Sequence, residues 1–293
     1  MILTHALPWT QIKAREERSA LMRELAELGE THIVLNSTLL GEGAADPAAL
    51  MTFAADMKSF GLAFADCHAF WGTWSDPGMP VPEWRECLLL RHKLAFRFCE
   101  RFGVTSMAFH TGNTLNSVFG SHLTLEDYYR ALTASLDILL PEAEKCGVVI
   151  ALENQWTPLN HSGILLRVME EYRSPFLGLC FDSGHGNLTE KGMQFPDQTC
   201  VPAIWKDLGV PVQWEEALAE KFSPWMVNCH LHDNDGIKDQ HNLPGEGTID
   251  WARIVKVLKN SPRLQCIQNE ALPGDNSLAK VSRVFRELLR DLC

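Results

Sequence analysis

The 293 residues contain no CxxC pair, no GxGxxG, no basic run and no Pro/Ser-rich linker. The first absence removes the usual spacing of a redox or metal-thiolate motif, and nine cysteines, an odd number, fit reduced thiols rather than a disulfide framework. Cys67, Cys180, Cys229 and Cys266 sit inside apolar runs, where a small thiol packs as core. The second absence deprives a dinucleotide-binding sheet of its signature, since GEGAAD at Gly41 has the wrong spacing. Cations are scarce: 26 Lys+Arg face 37 Asp+Glu, a net charge of -11 that repels a polyanion and sets the expectation of no nucleic-acid partner. The opening MILTHALPWTQIKAREER lacks a positive leader and a long apolar run, so a cytoplasmic protein without a membrane anchor is expected. With no linker to divide it, residues 1–293 read as one domain.

What is present is an alternation. Short apolar runs at Ile2–Ala6, His32–Asn36, Leu62–Cys67, Ser106–His110, Val148–Glu153, Leu177–Asp182, Val227–His232 and Cys266–Glu270 read as strands. Longer amphipathic stretches at 11–28, 47–59, 83–102, 125–145, 162–172, 249–259 and 277–291 read as helices between them. Asp46 before Pro47, Thr124 with Asp127, and Asp250 look like N-caps, while Gly29, Gly103 and Gly147 stand where helices should stop. The fold class expected is α/β, a single (β/α)8 TIM barrel with its active site at the C-terminal ends of the strands. The stretch from Asn187 to Gln213 is long for a connection and reads as a lid.

Polar residues interrupt the pattern at one kind of place. Six consecutive strands end in metal-ligand types: His68, His110, Glu153, Asp182, His230 with His232, and Glu270. A carboxylate at the edge of a run such as VVIALE or LGLCFD is unfavourable without a cation or hydrogen bonds. No Lys or Arg ends these strands, so a divalent metal is the economical shared partner. Mixed carboxylate and imidazole donors suit Mn2+ or Zn2+ first, with Co2+ and Fe2+ also served and Mg2+ tolerated. Residues 228–241, NCHLHDNDGIKDQH, add Asp239 and His241 in the loop after the seventh strand. Asp233 and Asp235, beside Gly236, read as ordinary turn and surface residues.

Four stretches, ALEN around Glu153, FDSGH from Asp182, HLHDNDGIKDQHNLPGEGTIDW from His230, and NEA around Glu270, resemble the xylose-isomerase-like TIM-barrel superfamily, which holds sugar isomerases and epimerases together with endonuclease IV. The resemblance is dense in the C-terminal half and rests on fold pattern plus His68 and His110 in the other. It implies a metal centre of Glu153, Asp182, His230 and Glu270, with His232 as the competing ligand at the seventh strand. It implies Glu153 and Glu270 as the catalytic pair of a sugar isomerase or epimerase, which moves a proton next to a carbonyl through a metal-stabilised enediolate. His68, His110, His185, Asp239 and His241 become substrate contacts or ligands of an additional metal, and Trp71, Trp74 and Trp156 candidates to stack on a sugar ring. The same residues have counterparts among the ligands of endonuclease IV, so a zinc-dependent abasic-site endonuclease stays open, as does a non-catalytic metal or sugar binder. Charge favours the small-molecule carbohydrate. A homo-oligomer is compatible with a barrel of this kind.

Overall fold

Short β-branched and apolar runs joined by helical crossovers dictate parallel pairing, because each crossover returns the chain to the same end of the sheet. The computed structural model describes residues 1–112, 123–271 and 277–292. Its strands are β1 (Ile2–His5), β2 (His32–Leu35), β3 (Ala63–His68), β4 (Ser106–Phe109), β5 (Val149–Glu153), β6 (Leu177–Asp182), β7 (Met226–Leu231) and β8 (Cys266–Asn269). They pair in chain order, and β1 closes on β8 with Ile2 opposite Cys266 and His5 opposite Asn269, completing a (β/α)8 barrel. Each expected strand is present. His110, His232 and Glu270 fall one residue beyond the ladder, where the chain turns into the barrel mouth.

Alternation along each strand sorts the side chains into two cores. Outward-facing residues such as Leu152, Leu179, Cys229 and Ile267 join the large cluster beneath the helices, whereas Ala108, Val149, Ala151, Cys180 and Val227 form a separate small one. The interior leaves little room. A Cβ on Gly178 would come within 2.7 Å of Val227 Cγ1, beside the register shift that lets β7 bulge against β6. Polar groups share this interior: Asp66 accepts from Thr4 Oγ1 at 2.8 Å and from Asn228 Nδ2 at 3.3 Å. Burial raises its carboxyl above the usual range, with Thr4 and the nearby His230 opposing that rise.

The expected caps form. Asp46 accepts from Ala48 and Ala49 at the start of the helix Pro47–Ser59, Thr124 and Asp127 make a reciprocal capping box, and Asp250 caps Trp251–Lys259. Four helices carry no amphipathic signal strong enough to expect. Ser37–Ala45 has two glycines in nine residues, and Ser183–Lys191 is buried over most of its length, so neither shows an apolar stripe. Val201–Asp207 and Leu218–Phe222 are too short for one. The stretch from Asn187 is therefore not a free loop: it continues a helix to Lys191 and then carries Val201–Asp207. It is tied down where Trp205 Nε1 donates to the Trp156 carbonyl at 3.0 Å and where Glu215 accepts from the Ser162 amide at 2.7 Å. Among the described residues no helix is long and apolar enough to cross a membrane.

One expectation fails outright. Asp233 is fully buried rather than a surface turn residue, because residues 242–251 fold back over it. Its carboxylate accepts from the amides of Asn234 (2.9 Å), Gly245 (2.9 Å) and Ile249 (3.3 Å) and from Trp251 Nε1 (2.8 Å). Asp233→Ala removes the acceptor of four donors, one buried and three partly so, and is expected to cost about 2–4 kcal/mol, read as a lower urea midpoint at unchanged m-value. Asp235 is the turn residue expected, accepting from the Ile237 and Lys238 amides.

Candidate metal centre at the barrel mouth

Because every strand runs the same way, residues at the C-terminal ends arrive at one mouth however far apart they lie in sequence. His68, His110, Glu153, Asp182, His230, His232 and Glu270 all meet there, joined by His185 from the helix Ser183–Lys191 and by Asp239 and His241 from the loop after β7. Four overlapping triplets among the described residues have donor atoms within 4.8 Å of one another: His68/Glu153/His230, Asp182/His185/His232, His232/His241/Glu270 and Asp182/His230/Glu270. His230 and His232, two residues apart on one face, thus reach different carboxylates. His230 Nδ1 lies 3.1 Å from Glu153 and 3.3 Å from Glu270, and His232 Nε2 lies 3.1 Å from Asp182.

The local chain explains these positions. Asp182 caps the helix that follows β6, accepting the His185 amide at 2.7 Å, and so sets His185 one turn away. Asn154 fixes Asp182 from the neighbouring strand through its amide, 2.8 Å, and its carbonyl, 2.9 Å. Gly184 leaves space for His232, since a Cβ there would fall 1.9 Å from His232 Cε1. Gly184→Ala is expected to displace that ring and weaken Zn2+ binding by about 10- to 100-fold, measurable by competition with a chelating dye.

Three imidazoles share one arrangement. The Nδ1 atoms of His68, His185 and His241 donate to the carbonyls of Ala69 (3.0 Å), Asn154 (3.0 Å) and Glu270 (2.8 Å). A carbonyl only accepts, so each Nδ1 carries hydrogen. Each Nε2 then faces the mouth: that of His68 meets His110 Nε2 at 3.1 Å, while those of His185 and His241 stand 3.6 Å and 3.2 Å from Asp239. Imidazole anchored through one nitrogen with the other free to bind is how proteins hold metal-ligating histidines.

Charge is balanced internally. Burial alone pushes the Glu153 carboxyl up, but His110 and His230 outweigh it and hold it well below the usual range. Burial likewise lowers His185 and His230, yet Asp182 beside the first, and Cys180, Glu270 and Glu153 beside the second, lift both well above an ordinary imidazole. His241 is raised to about 9, where Asp239 and Glu270 overcome burial. His68 moves the other way, to about 4, under burial and the neighbouring His110.

A metal fits this donor set, on two observations. Glu153 Oε2 and His230 Nδ1 are buried 3.1 Å apart, and neither makes a well-aligned hydrogen bond among the described residues. Second, the donors that end β3 to β8 are all imidazoles and carboxylates, with no Lys or Arg at those strand ends.

The mouth opens into a cavity of about 740 Å³. Trp71 and Trp156 line it, as do His68, His110, His185 and Glu270, whereas Trp74 packs on Trp84 at 3.8 Å and does not. Trp156 meets the His185 ring edge-on at 4.8 Å, and Trp71 donates to Ser37 Oγ. Gln268, which donates to Glu270 Oε1, and Arg91 also line the cavity and escaped the strand-end reading. Gln268 had a readable signal, two residues before Glu270 on one face of β8; Arg91, on a helix, had none.

A family model described as a xylose isomerase-like TIM barrel matches residues 22–267. The uncharacterized protein y4fM of Sinorhizobium fredii is 29% identical over 150 residues, half of this chain. The chain spans about 40% of the length of the curated relatives it matches. Among solved structures, 3-keto-D-glucoside 4-epimerase from E. coli superposes with a TM-score of 0.71 at 15% identity, covering 99% of both chains. The IOLI protein with a zinc atom superposes with a TM-score of 0.68 at 16% identity, over 99% of this chain and 97% of that one.

Proposed function

The chain belongs to the xylose isomerase-like TIM-barrel family, and from that premise we propose that it is a divalent-metal-dependent isomerase or epimerase of a sugar or sugar derivative. The observation that carries this reading is the pairing of a metal-competent mouth with a cavity of small-molecule size walled by indoles. Solved neighbours that are sugar epimerases support the substrate class.

Glu153, Asp182, His230 and Glu270 would hold the metal, with Mn2+ and Zn2+ best matched to the donors. When bound, the metal supplies Lewis acidity that polarises a carbonyl and acidifies the neighbouring C–H. Glu153 and Glu270 then divide the proton work. They rise from β5 and β8, so they flank a substrate from different sides of the mouth; one takes the proton beside the carbonyl and the other returns it. Gln268, donating to Glu270, orients that carboxylate. His110 and His185 reach sugar hydroxyls, and Trp71 and Trp156 offer ring faces to a pyranose or furanose.

The test is solvent exchange. Protein loaded with Mn2+ or Zn2+ in D2O should place deuterium at a carbon next to the carbonyl of at least one member of a ketose and aldose panel. Metal binding without exchange in any sugar would leave a non-catalytic binder instead. A second reading, a zinc-dependent abasic-site endonuclease, is favoured by one observation: His185, Asp239 and His241 add donors beyond the four that one metal needs. Incision of abasic-site DNA at moderate salt would establish it, against the repulsion of a net charge of -11.

A further inference from the structure

We propose that the substrate carries an anionic group, a carboxylate or a phosphate, bound by Arg91 at the outer wall of the cavity. The inference rests on the sugar-enzyme reading above and narrows its substrate class. Arg91 is the single Lys or Arg among the described residues that line the cavity. Its guanidinium carbon lies over the Phe70 ring, 4.5 Å from the centroid, and Phe70 lines the same cavity. Phe70 directly follows the loop residue Ala69 to which His68 is anchored, which ties the arginine to the metal-competent end of β3.

What Arg91 lacks is an ordinary partner. Among the described residues no carboxylate lies within ion-pair distance of it, whereas Arg18, Arg253 and Arg286 each pair with a glutamate. Arginine's N–H donors all lie in the guanidinium plane, so a guanidinium that uses its face on an aromatic ring keeps its edges for acceptors. That is the geometry in which arginine takes a carboxylate or phosphate oxygen pair side-on. Ser37, Thr38 and Asn36 line the same cavity and bring neutral polar groups without competing charge. In a mouth that gathers Glu153, Asp182, Asp239 and Glu270, an unpaired cation on one side gives an anionic substrate a single orientation, its charged end at Arg91 and its carbonyl end at the metal.

Binding and turnover are read separately in the metal-loaded protein. Titration of D-fructose, D-fructose 6-phosphate and D-glucuronate, followed by isothermal calorimetry, should show at least one anionic probe binding ten or more times tighter than D-fructose. Whether the phosphate or the carboxylate probe prevails names the source of the charge. Arg91→Gln should erase that preference, and Arg91→Lys, which keeps the charge but not the planar fork, should restore part of it. Equal binding of all three probes, no binding of either anion, or a preference unaltered in Arg91→Gln would overturn the inference. Deuterium exchange decides the other question: tight anion binding without exchange in any sugar acid or phosphate sinks the isomerase reading alone, and exchange confined to neutral sugars sinks the anion site alone.

Discussion

Glu270→Gln in the metal-loaded protein is expected to lower deuterium incorporation into substrate by about 10²- to 10⁴-fold, the range that a positioned proton-transfer group contributes. Its metal content at saturating Zn2+ should change little, because the amide oxygen remains a donor, Asp182 and His230 stay grouped with it, and Glu153 stays 3.1 Å from His230. Glu153→Gln should lose exchange to at least the same degree but for two reasons at once. Glu153 is fully buried and faces His110 at 3.2 Å, His185 at 3.3 Å and His230 at 3.1 Å, so its charge holds three imidazoles as well as a proton. Removing that charge should weaken the metal and the exchange together, with far-ultraviolet circular dichroism unchanged in both variants. Near-normal turnover in either would remove that residue from the catalytic pair. Equal metal loss in the two variants would show that Glu270 is bound into the centre as deeply as Glu153 and is not set apart for proton transfer.

How much of this was legible in advance follows from the geometry of a parallel barrel. Once eight strands are recognised, the last residue of each is bound for the same mouth, so His68, Glu153 and Asp182 could be grouped without knowing any distance. Period-two alternation also placed His230 and His232 on one face, though it could not say that each meets a different carboxylate. Asp233 was misread because HLHDNDG is turn-like in isolation; its burial comes from residues 242–251 folding back, a contact that short-range pattern does not encode. The helix Ser183–Lys191 was missed because an element buried on all sides has no polar face to produce a period. Arg91 was invisible for a related reason: one cation on an amphipathic helix is ordinary until the cavity beside it is known.

Metal binding and pH should be coupled with opposite signs in the metal-free and metal-loaded protein. His185, His230 and His241 are all raised above the ordinary imidazole value, His241 to about 9, so at pH 7 the metal-free mouth holds them as imidazolium against the carboxylates. A group whose folded pKa is raised stabilises the fold fully below its unfolded value, about 6.5, and loses that contribution as pH climbs through the folded value. The metal-free protein is therefore expected to lose thermal stability between about pH 6.5 and 9. Coordination needs the neutral ring, so an ion held by His230, and by His185 or His241 where an additional ion binds, must displace their protons, and its apparent affinity should rise about tenfold per pH unit for each proton released over the same interval. His68, lowered to about 4, adds nothing to this release because it is already neutral. Calorimetric titration of Zn2+ in buffers of different ionisation enthalpy should count at least one proton released at pH 7, and the gap in Tm between zinc-loaded and chelator-treated protein should widen from pH 6.5 to 9. A gap that narrows with rising pH, or binding without proton release, would mean that these histidines do not bind the ion and that the mouth is a self-neutralised ion-pair network.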